Sequence, residues 1–306
     1  MHGQGHILAS TMSTLRRSTA PQVPTTAPPK PRDDEIDAFG LTHAGKVRRD
    51  NQDHYLLCTL HKTIRVHSTS LPKPDFVDRP SERLAMVAMV ADGVGGAAGG
   101  ETASRSAVVT VAAYLTHVME CYYRVDPRDE QAFFNALLDA AREAHQAVLT
   151  RAKADAGLEG MATTLTIGLG VWPSLYVLHV GDSRLYLLRD QVLTQLTRDQ
   201  TWAQDLVDEG VLPPAVAPTS PLSHVLTSAI GGASAPQVTR FELQRGDTAL
   251  FCTDGLTKHV PDARIRECLT TMSSAQGACA VLLEDALAGG GSDNITIVVI
   301  RNRGLA

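Results

Sequence analysis

The residues best placed to do chemistry are aspartates at turns, most of them flanking an apolar run. Asp92 follows Leu84–Ala91 and opens Asp92-Gly93-Val94-Gly95-Gly96, Asp182 follows Val180-Gly181, and Asp254 lies in Phe251-Cys252-Thr253-Asp254-Gly255. Asp293 lies in Gly291-Ser292-Asp293-Asn294 before the last apolar run, and Asp53 lies in Asn51-Gln52-Asp53. A strand end is a rigid platform, and glycine lets backbone come close to an ion. Hard cations such as Mg²⁺ take carboxylates, backbone carbonyls and water. Aspartates converging from several strand ends would build an oxygen-only, two-ion site able to acidify a water and stabilise in-line displacement at phosphorus. A lone Asp-Gly is most often just a turn, so the reading rests on their joint occurrence. The cysteines and histidines show no ligand spacing, which argues against zinc.

Short runs rich in β-branched residues predict the strands that would carry these aspartates: Leu84–Ala91, Thr163–Val171, Leu175–Val180, Leu185–Leu188, Asp247–Cys252 and Asn294–Ile300. The runs between 163 and 188 leave no room for crossover helices, so the sheet is expected to be antiparallel. Two amphipathic helices are expected. One carries Ala107, Val111, Tyr114, Leu115 and Val118; the other carries Phe134, Leu137, Leu138, Ala141 and Val148 after a start at Asp126-Pro127. A last helix is expected over Gln276–Leu287, and a helix-like stretch over Thr201–Glu209. Residues 60–83 and 210–225 are proline-bearing and read as loops, which at this length tend to be functional or disordered. Residues 1–34 are rich in Ser, Thr and Pro and are expected to be a disordered tail, with the folded domain over 35–303.

Composition narrows the function classes. The formal net charge of −5 and the lack of a basic run argue against a nucleic-acid partner, whose phosphates call for clustered Lys and Arg. No apolar run reaches membrane-spanning length and no signal-peptide core is apparent, so a cytoplasmic protein without a membrane partner is expected. Five cysteines without Cys-x-x-Cys spacing read as reduced core residues.

The ordered pattern resembles the bacterial branch of the metal-dependent, type 2C serine/threonine protein phosphatases over residues 36–301. The resemblance is carried by Gly45-Lys46-Val47-Arg48-Arg49-Asp50-Asn51-Gln52-Asp53, Val90-Ala91-Asp92-Gly93-Val94-Gly95-Gly96, Gly160-Met161-Ala162-Thr163-Thr164-Leu165 and His179-Val180-Gly181-Asp182-Ser183-Arg184-Leu185-Tyr186. It continues through Leu196-Thr197-Arg198-Asp199, Leu226-Thr227-Ser228-Ala229-Ile230-Gly231, Cys252-Thr253-Asp254-Gly255-Leu256-Thr257 and Gly291-Ser292-Asp293-Asn294-Ile295-Thr296. It implies an α+β fold: two antiparallel β-sheets in a sandwich flanked by α-helix pairs, a four-layer αββα arrangement.

The resemblance also implies roles. Asp92 would bridge two Mn²⁺ or Mg²⁺ ions and Gly93 would offer its carbonyl, with Asp254 and Asp293 completing the first metal site. Asp182 with Asp254 would bind a weaker third ion, Asp53 would hold water in the metal shell, and Arg48 would grip the substrate phosphate. Arg48, Asp92 and Asp254 are thus the expected catalytic residues. Phosphorylated proteins, made by a Ser/Thr kinase, are the expected partners of a monomeric enzyme. The alternative is a catalytically silent phosphoprotein-binding regulator, whose signature would be loss of metal aspartates. Departures from the family pattern are Gln52 in place of Glu, Val94 in place of a histidine, Ala162 in place of Gly, and Gln200 after Asp199 where His is common. His179 reads as a core residue, Arg184 and Arg49 as structural or solvated, and Thr163 and Thr164 as turn residues.

Overall fold

The structure, a computed structural model, describes residues 29–62, 82–95, 97–122 and 129–303. In chain order the strands are β1 (Ile36–His43), β2 (His54–Lys62), β3 (Glu82–Ala91), β4 (Gly93–Val94), β5 (Ala162–Thr163), β6 (Leu165–Val171), β7 (Ser174–Val180), β8 (Arg184–Arg189), β9 (Val192–Gln195), β10 (Gln237–Glu242), β11 (Thr248–Cys252) and β12 (Ile295–Asn302). The helices are α1 (Ala97–Tyr122), α2 (Glu130–Ala154), α3 (Trp202–Asp208), α4 (Asp254–Thr257), α5 (Asp262–Thr271) and α6 (Ala275–Ala288). One sheet runs β1-β12-β11-β8-β9 and the other β10-β7-β6-β3-β2, every neighbouring pair antiparallel, with β4-β5 as a small separate pair.

Side-chain alternation builds three cores from these strands. From β3, Val87, Met89 and Ala91 point to α1 and α2, whereas Ala88 and Val90 point to the opposite sheet. In β7, Tyr176, Leu178 and Val180 face the first helix pair and Leu175 and Val177 face inward. In β11 and β12, Leu250, Cys252, Ile295, Ile297 and Val299 pack under α5 and α6, while Phe251 and Val298 enter the space between sheets. Burial on both faces is why these strands read as continuous apolar runs. Gly168 is required here: a Cβ on it would lie 2.4 Å from the Phe251 ring. The result is the expected αββα sandwich.

Two local expectations need correcting. The buried stripe of α2 is Phe133, Ala136, Leu137, Ala140, Ala141, Ala144 and Val148, so Phe134 and Leu138 flank it rather than form it. The helix opens on Asp129, whose carboxylate accepts from the Ala132 amide at 3.1 Å; the expected start at Asp126-Pro127 lies outside the described residues. At the N-terminal side, packing begins before the expected boundary at 35. Arg83 donates to the Pro31 carbonyl at 2.6 Å and pairs with Asp33 at 2.7 Å, and Lys30 donates to the Arg83 carbonyl. Residues 1–28 of the expected tail, and 63–81 of the first expected loop, lie outside the described residues.

Candidate active site

The antiparallel pairing gathers the aspartates at one end of the sandwich. β3, β7 and β11 all finish there, giving Ala91-Asp92, Val180-Gly181-Asp182 and Cys252-Thr253-Asp254, and β12 starts there, after Asp293-Asn294. β2 opens opposite the end of β3, with His54 paired to Ala91, which brings Asp53 to the same edge. Asp92, Asp182, Asp254 and Asp293 line one cavity with Arg48, Lys258 and the backbone of Gly93 to Gly95. A separate cavity at the opposite end is walled by Met86, Leu175, Leu187 and Phe251 and has no converging carboxylates.

Each aspartate is held by identifiable neighbours. The Asp92 amide donates to Thr164 Oγ1 at 2.9 Å, while its carbonyl accepts from the Thr163 hydroxyl at 2.8 Å and the Thr164 amide at 2.9 Å. Thr164 in turn meets the Ser183 hydroxyl at 2.7 Å, linking the Asp92 and Asp182 turns. Gly93 admits no side chain, since a Cβ would lie 2.2 Å from the Gly100 carbonyl oxygen. Asn294 organises the arginine-bearing loop: its Nδ2 donates to the carbonyls of Ala44 and Asp50, both at 3.0 Å, and its Oδ1 accepts from the Gln52 amide at 2.8 Å. That loop presents Arg48, whose Nε lies 2.8 Å and Nη2 3.0 Å from the two Asp293 oxygens. Arg49 is exposed to solvent, as the sequence suggested.

Asp53 is buried, and its Oδ2 accepts from the Thr253 and Thr296 hydroxyls at 2.8 and 2.7 Å. Burial nevertheless pushes its carboxyl up, to about 7, and repulsion from Asp254 and Asp293 adds to the rise. Two charge-assisted hydrogen bonds, each worth about 1.5–3 kcal/mol, do not offset lost hydration and neighbouring charge. Desolvation also raises Asp92 well above the usual carboxylate range, followed by repulsion from Asp53, Asp254, Asp182 and Asp293. Asp182 rises by burial and by the charges of Asp254 and Asp199. Asp293 is the exception: burial would raise it, but hydrogen bonds and charge from Lys258 and Arg48 hold it low.

Such mutual repulsion is what a bound cation relieves. The Oδ1 atoms of Asp53 and Asp254 are buried without a hydrogen-bond partner, which leaves lone pairs aimed at no donor. No three acidic, His or Cys side chains among the described residues form a ready ligand cluster as they stand. The carboxylates are instead drawn to Lys258, whose Nζ lies 2.6 Å from Asp254 Oδ2 and 2.8 Å from Asp293 Oδ2. The donor set is all oxygen, crowded and anionic, and it fits hard divalent cations.

Other sequence expectations fall into place. His179 is buried, bonded to Thr166 Oγ1 and the Arg198 carbonyl, both at 2.9 Å, and burial lowers its pKa to about 4. Arg184 forks onto Asp199 at 2.9 and 2.6 Å and donates to Tyr186, a structural pairing. Cys252, Cys268 and Cys279 are buried free thiols, and the Cys121 side chain lies outside the described residues.

The chain is also similar to known proteins. A family model described as Protein phosphatase 2C matches residues 67–288. The chain belongs to the protein phosphatase 2C family. The matched stretch holds Asp92, Asp182 and Asp254; Arg48, Asp53 and Asp293 lie beyond it and are brought in by β2 and β12. The chain is 42% identical over 212 residues to the serine/threonine protein phosphatase PstP of Mycobacterium tuberculosis, covering 69% of this chain and 39% of that protein. It is 30% identical over 224 residues to the serine/threonine phosphatase Stp of Listeria monocytogenes, covering 70% of this chain and 83% of that protein. A crystal structure of M. tuberculosis PstP superposes with a TM-score of 0.70 at 32% identity, covering 88% of this chain and 99% of that one. A second, of its catalytic domain in complex with two manganese ions, gives a TM-score of 0.67 at 32% identity, over 88% and 99%.

Lys258, Thr253, Thr296 and Gln200 were not among the sequence candidates for roles in the site. Lys258 had a signal: it stands four residues after Asp254 at the start of a helix, where side chains share a face. Thr253 precedes Asp254 and Thr296 stands two residues after Asn294, and they are the only donors seen on the Asp53 carboxylate among the described residues.

Proposed function

We propose that this protein is a metal-dependent phosphatase that removes phosphate from phosphoserine and phosphothreonine in proteins. The observation that carries the reading is the convergence of Asp92, Asp182, Asp254 and Asp293, from four separate strand ends, on one cavity with Arg48 and Lys258 on its wall. Asp92, the Gly93 carbonyl, Asp254 and Asp293 would hold two Mn²⁺ or Mg²⁺ ions, Asp182 with Asp254 a third, and Asp53 water beside them. Bound ions would supply Lewis acidity at the phosphoryl group and offset the carboxylate charge.

The chain's own residues supply the rest. The Arg48 guanidinium, a planar fork, suits two phosphate oxygens, and Lys258 adds a point charge on the same wall. Thr163 and Thr164 fix the Asp92 backbone, so the carboxylate does not reorganise as charge moves in the reaction. A thiol nucleophile is a poor fit: burial pushes Cys252 and Cys279 up to about 12, far from thiolate formation at neutral pH. Retention of every expected aspartate disfavours a silent regulator. The free thiols suit a reducing cytoplasm, and no described helix is long and apolar enough to cross a membrane. On this reading the substrates are products of Ser/Thr kinases and the enzyme acts as a monomer.

The test is phosphate release from phosphoserine and phosphothreonine peptides by the full chain with Mn²⁺. Release in Mn²⁺ that stops in excess EDTA is expected. Binding of the same peptides without release would favour the silent regulator.

A further inference from the structure

Departure of a serine or threonine oxygen from phosphorus needs a proton. The alcohol's pKa is far above neutrality, so an unassisted alkoxide is a poor leaving group. The cavity wall that carries Arg48 and Lys258 offers cations that ordinarily stay charged at neutral pH. The chain from His224 to Ala229, with Gly232 and Ala233, also lines this cavity. Its side chains with exchangeable protons are His224, Thr227 and Ser228, and only the imidazole ordinarily titrates near neutral pH.

His224 is also placed by its surroundings. It closes the short turn Pro221–His224, capped by Ser220 Oγ accepting from the Leu222 amide at 3.2 Å. The next residues are tied down: the Trp202 amide donates to the Val225 carbonyl at 2.9 Å and the Thr227 amide to the Gln200 carbonyl at 2.8 Å. His224 is exposed and lines two adjoining cavities, the aspartate cavity and one reaching back to α3. Asp182, Asp254 and Lys258 border both cavities. Arg184 and Asp199 face it only from the second cavity, and Arg48, Asp92 and Asp293 only from the first. Five aspartates and three cations thus border the two cavities that His224 lines.

We propose that His224 is the general acid of this site, protonating the seryl or threonyl oxygen as it leaves; the assignment rests on the phosphatase reading above. Attack of water forms the new P–O bond while the bond to the alcohol oxygen breaks with its electron pair. That oxygen takes the ring N–H proton, and the proton shed by the attacking water returns to the imidazole through solvent. The role supplies from a surface turn what the sequence lacks at Val94, whose exposed side chain carries no titratable proton.

Leaving-group dependence tests it. The full chain and the variants His224→Ala and His224→Gln are assayed at saturating Mn²⁺ on p-nitrophenyl phosphate, phenyl phosphate and a small alkyl phosphate with no peptide attached. A good leaving group needs no acid, so p-nitrophenyl phosphate turnover should stay within about twofold, while alkyl phosphate turnover should fall about 100-fold in both variants. The alkaline limb of the wild-type kcat profile on the alkyl ester should disappear, and Mn²⁺ affinity should not change. Equal losses on all three esters, an unaltered alkyl rate, or weakened Mn²⁺ binding would overturn the assignment. A wild-type protein inactive on every ester with Mn²⁺ would instead remove the phosphatase reading itself.

Discussion

Gln200 and Gly181 are joined by two hydrogen bonds: the Gly181 amide donates to Gln200 Oε1 at 2.9 Å, and the Gln200 amide donates to the Gly181 carbonyl at 2.8 Å. Gly181 immediately precedes Asp182, and the buried Gln200 also holds the Thr227 amide and, through Nε2, the Ala235 carbonyl. One amide side chain thus ties an aspartate turn to both the outgoing and returning ends of the 201–235 segment. Gln200→Leu leaves the Gly181 amide and the Ala235 carbonyl without these partners. It should destabilise the fold by about 1–3 kcal/mol and lower kcat, with the midpoint of urea unfolding as the check.

Lys258 touches two of the expected metal carboxylates, so it has two opposing effects. Its charge repels incoming cations yet attracts phosphate. Lys258→Met should bind Mn²⁺ about tenfold more tightly, a change of about 1.4 kcal/mol, and should raise KM for phosphoesters. Calorimetric Mn²⁺ titration and steady-state kinetics on the same preparations read both; weaker Mn²⁺ binding would contradict the arrangement.

Protons compete with metal in this site. Asp53, Asp92 and Asp182 have carboxyls raised by folding, so between the unfolded value near 4 and the folded values the native state binds more protons than the unfolded one. By linkage their contribution to stability is full below that range and is lost as pH rises through it, with Asp53 reaching about 7. In EDTA these groups should therefore weaken the fold from about pH 4 to about pH 7, the range Asp53 spans. The rise in Tm on adding Mn²⁺ should grow over the same interval. An Mn²⁺ shift that is flat across it would contradict the crowding of these carboxylates.

Much of this site was legible because its aspartates sit where buried strands stop. β3, β7, β11 and β12 are apolar on both faces, so their runs and their ends stood out. β9 and β10 are edge strands whose residues are all exposed or half-buried, and a hydrophobic pattern reads burial rather than backbone pairing. The stripe on α2 was read one residue off at Phe134 because Phe133 and Phe134 are adjacent and both apolar; both rings meet Tyr176, Phe133 stacked at 4.7 Å and Phe134 edge-on at 6.0 Å, and only Phe133 is buried. The partners of Asp53 were hidden for a different reason. Thr253 and Thr296 lie about 200 or more residues away and meet Asp53 only after β11 and β12 pair.

The segment after α3 exposes Val211 and Val216, at 67% and 47%, and Trp202 at the start of α3 is 52% exposed. Apolar surface next to an active site suits contact with a protein around its phosphate. Replacing both valines with serine should lower kcat/KM for a phosphoprotein about tenfold, near 1.4 kcal/mol. Turnover of p-nitrophenyl phosphate should stay unchanged. Equal effects on both substrates, or none on either, would leave the segment as a connector.

The most direct test of the account is phosphate release from a phosphothreonine peptide by the full chain and by Asp92→Asn, each with Mn²⁺ and with excess EDTA. Activity in wild type with Mn²⁺, lost in EDTA and nearly abolished by Asp92→Asn while the fold remains intact by circular dichroism, is the predicted result. Full wild-type activity in EDTA, or an Asp92→Asn protein as active as wild type, would contradict it.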